Sequence, residues 1–307
     1  MKPHVVARER VQPLFDPEAL ARAESLGLMA RSIVEGYRVG AHRSPFQGFA
    51  LEFAQHREYT AGDDLRHLDW KVLGRTDRYF LKQYEQDTNL VAWVLLDASE
   101  SMGYGSTTLT KLHYAKACAA TLAHAILLQK DAVGFGIFDA GIREQIARTD
   151  NQGKIHEILR RLAEIEAAGQ TDIGETMEKI ALAFRNRGIA IVFSDFFEDE
   201  ARLERGIQRL RFLRHEVILF HVLDHQEIAF EFRGSCRFQG LEGAPSVQLS
   251  PEDYRKDYLR AFGEYQARIR VIAERNACHY VLADTSHPVA EVLGGYLSLR
   301  LRMGRSR

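Results

Sequence analysis

Leu90-Val91-Ala92-Trp93-Val94-Leu95-Leu96-Asp97-Ala98-Ser99-Glu100-Ser101 is the stretch whose reading decides the fold. An apolar run with no polar alternation predicts a strand covered on both faces, the kind found inside a parallel sheet. The run ends in an acid followed by two alternating hydroxyls, which the strand delivers to the loop at its carboxyl end. Open α/β sheets bind their ligands at that edge. An all-oxygen donor set suits a hard cation such as Mg²⁺ or Mn²⁺ better than zinc.

Outward from this strand, periodicity predicts alternating strands and helices. Thr110–Lys130 repeats Leu112, Ala115, Ala119, Leu122, Ala123, Ile126 and Leu127 at helical spacing. Ala132–Phe138 reads as a strand, and Ile142–Ala147 as a short edge strand paired with it through the Asp139-Ala140-Gly141 turn. Lys154–Ala167 reads as a helix, and Gly169–Gly174 interrupts the pattern before a further helix to about Arg187. Ile189–Asp195 is another buried strand ending in an acid. Glu198–Leu213 is helical, and Glu216–Leu223 is a strand. Residues 224–250 break the pattern and predict a small β excursion with Phe230, Phe232, Cys236, Phe238 and Val247 as apolar contacts. A long helix over Pro251–Asn276, a strand over His279–Ala283 and a helix over Pro288–Arg300 close the chain. The alternation predicts an α/β fold with a doubly wound, mainly parallel sheet covered on both faces.

Before residue 88 the composition changes. Residues 1–16 are polar and read as poorly ordered. Asp16-Pro17-Glu18 marks a helix start, with Pro17 at the first helical position, and the helix runs to about Tyr37. Phe49–Tyr59 and Tyr79–Glu85 are strand-like. Between them Arg57–Trp70 interleaves both charge signs with Tyr59, Leu68 and Trp70, and Arg75, Asp77 and Arg78 follow. Such a segment can be a solvated face, a buried ion-pair network or a docking surface. The division is therefore residues 1–87, an N-terminal helix plus a β-containing charged extension, and residues 88–307, the α/β domain.

Composition narrows the function. The formal net charge is −1, which gives no global attraction to nucleic acid or an anionic membrane. No apolar run approaches the roughly 20 residues of a membrane span, and Met1–Arg10 lacks the apolar core of a signal peptide. The three cysteines are widely separated and form no zinc or disulfide pattern. The expectation is a cytoplasmic protein.

Two predicted strands end in aspartate, Asp97 and Asp195, and the Gly169-Gln170-Thr171-Asp172 loop lies between them. If the three loops converge, Asp97, Ser99, Ser101, Thr171 and Asp195 surround one point. Two carboxylates and three hydroxyls can hold an octahedral Mg²⁺ at about 2.0–2.1 Å with waters filling the gaps. The two aspartates roughly cancel a divalent charge, leaving room for one external oxygen ligand such as a partner's carboxylate. Each residue also has a plain structural reading: an aspartate can cap a loop, Ser and Thr make local turn bonds, and Thr171 or Asp172 can begin a helix. Met102-Gly103-Tyr104 and Phe196-Phe197 flank the point and form either an apolar rim or packing beneath the loops.

The ordered set Asp97-x-Ser99-x-Ser101, Thr171 and Asp195 resembles the metal-ion-dependent adhesion site of von Willebrand factor A domains. That resemblance spans about Thr88–Arg300 and implies a Rossmann-like, doubly wound fold. Phe53, Arg57-Glu58-Tyr59, Gly62-Asp63-Asp64, Arg66, Leu68-Asp69-Trp70, Arg75 and Lys82-x-Tyr84-Glu85 resemble the signature of the bacterial domain-of-unknown-function 58 family. Gly74 and Asp87 depart mildly from its pattern, and the amino-terminal membrane helices of many members are missing here. Membership would imply a von Willebrand A-like domain and partnership with MoxR-type AAA+ ATPases in maturing or assembling other proteins.

The leading expectation is a non-catalytic, divalent-metal-dependent protein-interaction module. A Mg²⁺-dependent phosphoester hydrolase is the enzymatic alternative; no general base or Arg clamp is evident near the five residues, and no HExxH, Gly-x-Ser-x-Gly or Walker A motif occurs. A third reading is an adaptor that binds through Arg57–Trp70, with the metal site vestigial. His221 and Asp224-His225 lie at a strand end without a third ligand. His113 and His124 fall in a helix and read as packing or surface residues.

Overall fold

Val91–Asp97 forms a strand, β3, that is buried along its whole length. The computed structural model describes residues 52–59, 69–76, 78–85, 91–183, 187–241 and 246–305. The chain divides into two compact units, Arg38–Asn89 and a larger one that includes Leu90–Arg307. The expected disorder of residues 1–16, the Pro17–Tyr37 helix and most of the charged stretch before Asp69 lie outside the described residues.

In the smaller unit, β1 (Glu52–Glu58) pairs antiparallel with β2 (Phe80–Glu85), with a register shift between Phe53 and Gln55. Between them lies a short helix, α1 (Trp70–Thr76), which the charge pattern concealed. Asp69 Oδ1 accepts the Val72 N–H at 3.3 Å at its start. Arg78 meets Glu58 at 3.7 Å, but both side chains are well exposed, so the pair contributes little to stability.

The larger unit is built on a six-stranded sheet. After β3 come β4 (Ala132–Phe138), β5 (Ile142–Thr149), β6 (Ile189–Ser194), β7 (Glu216–Leu223) and β10 (His279–Asp284). Their spatial order is β10-β7-β6-β3-β4-β5. All neighbours are parallel except β5, which turns back antiparallel on β4. Numbered within the sheet this is 3-2-1-4-5-6, the doubly wound Rossmann-like order.

Helices cover both faces. Val94 and Leu96 face one core with α2 (Lys111–Leu128), α3 (Ile155–Glu164) and α8 (Val289–Arg305). Val91, Trp93 and Leu95 face the other, with α4 (Ile173–Ala183), α5 (Glu200–Phe212) and α7 (Pro251–Arg275). The alternation along β3 explains why its sequence is apolar at every position. Opposite Trp93, β4 carries Gly134, where a Cβ would come within 2.3 Å of the indole. The glycine is the space into which the tryptophan packs. Likewise a Cβ on Gly174 would lie 2.6 Å from the Arg202 carbonyl oxygen, so α4 and α5 approach backbone to backbone.

Residues 224–250 contain the expected β pair, β8 (Cys236–Phe238) with β9 (Val247–Leu249). They also contain a short helix, α6 (His225–Ala229), which Asp224 and Glu227 close with a capping box. Phe230, Phe232 and Phe238 pack together, and Phe230 stacks on Tyr258 of α7 at 4.0 Å. Val247 departs from expectation: it is half exposed, opposite Phe238 at the edge of the pair.

Candidate metal centre

The strand order reverses between β3 and β6. At such a switch point the flanking loops diverge and leave a crevice at the carboxyl edge. Asp97 ends β3 and Asp195 follows β6, so both acids stand at that crevice.

Asp97 is fully buried and is the hub. Its Oδ1 accepts the Ser99 N–H at 2.9 Å. Its Oδ2 accepts the Ser194 hydroxyl at 2.6 Å and the Thr171 hydroxyl at 3.4 Å. Ser99 Oγ and Ser101 Oγ lie 3.1 Å apart. Backbone bonds lace the two loops together. The Glu100 N–H donates to the Gly169 carbonyl and the Ala168 N–H to the Ala98 carbonyl, each at 2.8 Å. Arg143 reinforces them by donating to the Ala98 and Glu166 carbonyls. The structure thus brings Asp97, Ser99, Ser101 and Thr171 together. Asp172 instead caps α4, accepting the Glu175 N–H at 3.0 Å.

Asp195 is also fully buried, but its Oδ2 faces another partner. The Lys111 ammonium donates to it at 2.8 Å and to Glu227 Oε1 at 2.9 Å. Lys111 is 1% exposed and lies 5.8 and 5.4 Å from the Tyr104 and Phe197 ring centres. The Tyr265 hydroxyl holds the Asp195 carbonyl at 2.8 Å. Phe196 takes a left-handed backbone conformation, φ 55°, and is wholly buried, while Phe197 is 41% exposed and stacks on Tyr265. The apolar rim is therefore Phe197 with Tyr104. Met102, grouped with them by sequence, is a core residue, because the 3₁₀ turn Glu100–Gly103 points it inward.

Burial, with the charge of Asp195 second, pushes the Asp97 carboxyl up to about 7; the bonds from Ser194 and Ser99 act in the opposite direction. Burial alone would lower Lys111, yet Asp195 and Glu227 hold its ammonium above the ordinary lysine value. Burial pushes His221 down to about 4. Its imidazole is neutral, bonded to the Tyr280 hydroxyl at 2.9 Å and walled by Phe196 and Tyr265.

Five strands of this edge end in aspartate or are followed directly by one: Asp97, Asp139, Asp195, Asp224 and Asp284. Asp139 faces Arg143, Asp195 faces Lys111, and Asp284 faces His225. Asp224 is filled by the N–H groups of Ser106 and Gln226. Among the described residues, Asp97 meets no basic side chain, and two of its donors are hydroxyls. A hydroxyl can turn its lone pairs toward a cation, whereas an N–H cannot. Among the described residues no group of three or more His, Cys, Asp or Glu is arranged to hold a metal, so a cation here would complete its shell with hydroxyl, carbonyl or water oxygen. Asp97, Ser99, Ser101 and Thr171 supply together the oxygen donors a hard divalent cation takes, and Asp195 stands beside them with its Oδ2 bonded to Lys111.

Sequence reasoning missed Ser194, Lys111 and Glu227. Lys111 carried a signal: it stands in the first turn of α2, where a positive charge opposes the helix dipole.

The family described as "Protein of unknown function DUF58" matches residues 55–268. The chain belongs to the DUF58 family. An uncharacterized protein of Mycobacterium tuberculosis, Rv1480, is 27% identical over 259 residues, covering 83% of this chain and 81% of that protein. Its Mycobacterium bovis counterpart, Mb1516, matches to the same extent. Among solved structures, BatB from Bacteroides thetaiotaomicron is similar at 15% identity and a TM-score of 0.49, over 71% of this chain and 100% of that one. An aerotolerance-related membrane protein from Bacteroides fragilis gives 16% and 0.47 over 70% and 99%. The SpRpn10 VWA domain gives 18% and 0.40 over 67% and 94%. No helix among the described residues is long and apolar enough to cross a membrane.

Proposed function

We propose that this DUF58 chain is a non-catalytic protein-interaction module whose binding depends on a divalent cation. Mg²⁺ or Mn²⁺ would be held by Asp97, Ser99, Ser101, Thr171 and Asp195, and would offer positive charge to an acidic side chain of a partner. The observation that carries this reading is the Asp97 carboxylate: buried at the switch point, beside a second acid, ringed by hydroxyls and facing no basic group among the described residues. An unpaired buried carboxylate is costly, and a cation removes the cost. The half-exposed Phe197 supplies apolar contact beside the point of charge, as interface cores do.

The chemistry of the surroundings argues against hydrolysis. His221, an imidazole that feels the charge of Asp195, is enclosed and neutral and cannot exchange protons with a substrate in solution. The family resemblance extends the proposal to a MoxR-type AAA+ ATPase as partner and to a cytoplasmic setting. The adaptor reading through Arg57–Trp70 rests on residues that lie mostly outside those described.

A binding assay tests the proposal. Immobilised protein is exposed to a purified MoxR-type ATPase in Mg²⁺ and in EDTA, with Asp97→Ala as the control. Capture that needs both Mg²⁺ and Asp97 supports the proposal. Capture indifferent to chelator and to the substitution sinks the metal-dependent part, and no capture sinks the partner.

A further inference from the structure

Lys111 is an expensive residue. Its ammonium is 1% exposed, in the first turn of α2, and so meets both desolvation and an opposing helix dipole. The fold meets that cost with two carboxylates, Asp195 at 2.8 Å and Glu227 at 2.9 Å, and with the faces of Tyr104 and Phe197. One of those carboxylates belongs to the proposed donor set. The other belongs to α6, where Glu227 Oε2 also accepts the Asp224 N–H at 2.9 Å.

We propose that Lys111 is an internal counter-cation which competes with the divalent ion for Asp195, with Glu227 as the second anchor that draws the ammonium aside. The inference rests on the metal-dependent reading of the site. Asp97, with neutral donors only, is the open half of the centre, and Asp195 is the half already claimed. A divalent cation that engages Asp195 must share it with an ammonium or shift that ammonium toward Glu227. Lys111 therefore lowers divalent affinity and is a positioning residue for the centre. Glu227 opposes it by keeping an alternative acceptor within reach. Because Lys111 also touches Tyr104 and Phe197, displacement of the ammonium would change the rim that a partner contacts.

Two substitutions should move affinity in opposite directions. Lys111→Met keeps the length of the side chain and removes the charge, so Mn²⁺ affinity should rise roughly tenfold to a hundredfold, as expected for losing a like charge a few ångström away in a buried site. Glu227→Gln leaves the ammonium wholly to Asp195, so affinity should fall. The double variant Lys111→Met/Glu227→Gln leaves one fewer unpaired acid and covers the case in which Lys111→Met alone does not fold.

The experiment is a Mn²⁺ titration followed by electron paramagnetic resonance of the free ion, on the full chain, its three variants and Asp97→Ala, with circular dichroism on each. Tighter binding in the folded Lys111 variants, with weaker binding in Glu227→Gln, supports the inference; so does binding that appears only once Lys111 is replaced. Unchanged or weaker binding in the Lys111 variants, while wild-type binding is lost in Asp97→Ala, overturns the inference and leaves the metal reading standing. Folded protein that binds no Mn²⁺ with or without Lys111 overturns both.

Discussion

Replacing Asp97 by asparagine should stabilise the metal-free protein, although it removes a residue on which the proposed function depends. The carboxyl of Asp97 is pushed up to about 7 from 3.8, first by burial and then by Asp195. Below about pH 4 the group is protonated in both folded and unfolded chains and contributes nothing. Between about 4 and 7 the unfolded chain releases this proton and the folded chain keeps it. The folded state then binds more protons, so stability falls as pH rises, and above 7 the whole penalty is present. That rise corresponds to about 4 kcal/mol as an upper bound. Asparagine keeps the acceptor for the Ser99 N–H but disrupts the bond from Ser194, at a cost of about 1 kcal/mol. With relaxation, the net gain at pH 8 is about 1–3 kcal/mol, or roughly 3–10 °C in melting temperature for a unit of this size. The assay is thermal unfolding in EDTA at pH 5 and pH 8. The variant should melt higher at pH 8, and its advantage should shrink at pH 5. Mg²⁺ at a thousand times its Kd should reverse the order, since it adds about 4.1 kcal/mol to the wild type alone. A variant less stable than wild type at pH 8 in EDTA, or a difference independent of pH, would refute the reasoning.

Other consequences are separable. Ser194→Ala removes the hydroxyl that orients Asp97 without removing a proposed ligand, and should weaken Mn²⁺ binding by roughly 10–100-fold in titration. Gly174→Ala places a Cβ 2.6 Å from the Arg202 carbonyl oxygen and should lower stability by about 1–3 kcal/mol, read as a lower urea midpoint. Lys116 buries its ammonium against the Ile165 and Ala163 carbonyls at the carboxyl end of α3; Lys116→Met should cost about 1–3 kcal/mol in the same assay, with divalent affinity unchanged.

The sheet was legible because its strands announce themselves. A run apolar at every position, as in Val91–Leu96, can only be covered on both faces, and the acid that ends it marks the carboxyl edge. Strand order was not accessible, since periodicity says nothing of neighbours; the resemblance implied only a doubly wound, mainly parallel sheet, and the order is seen in the structure. The site was legible in part. Asp97, Ser99 and Ser101 follow a local pattern, and bonds between residues two apart fold them together, while Thr171 joins them through its hydroxyl across 74 residues. Lys111 and Glu227 were not legible, because Lys111 meets Asp195 across 84 residues and Glu227 across 116, and a lysine in a helix reads by default as solvated. Ser194 was hidden for a different reason. It precedes the expected ligand Asp195 in a strand, and only the parallel register between β6 and β3 carries its hydroxyl to Asp97. The short helices α1 and α6 were missed because each lies within a polar stretch and is held by a cap, from Asp69 and Asp224, rather than by an apolar stripe.

The central claim is that Asp97 and its hydroxyl neighbours hold a divalent cation. Calorimetric titration of Mg²⁺ and Mn²⁺ into the wild type and Asp97→Ala, with circular dichroism to confirm that both are folded, tests it most directly. The account predicts saturable binding to one site in the wild type and none in the variant. Equal binding in the two proteins, or none to the folded wild type and none to its Lys111 variants, would contradict it.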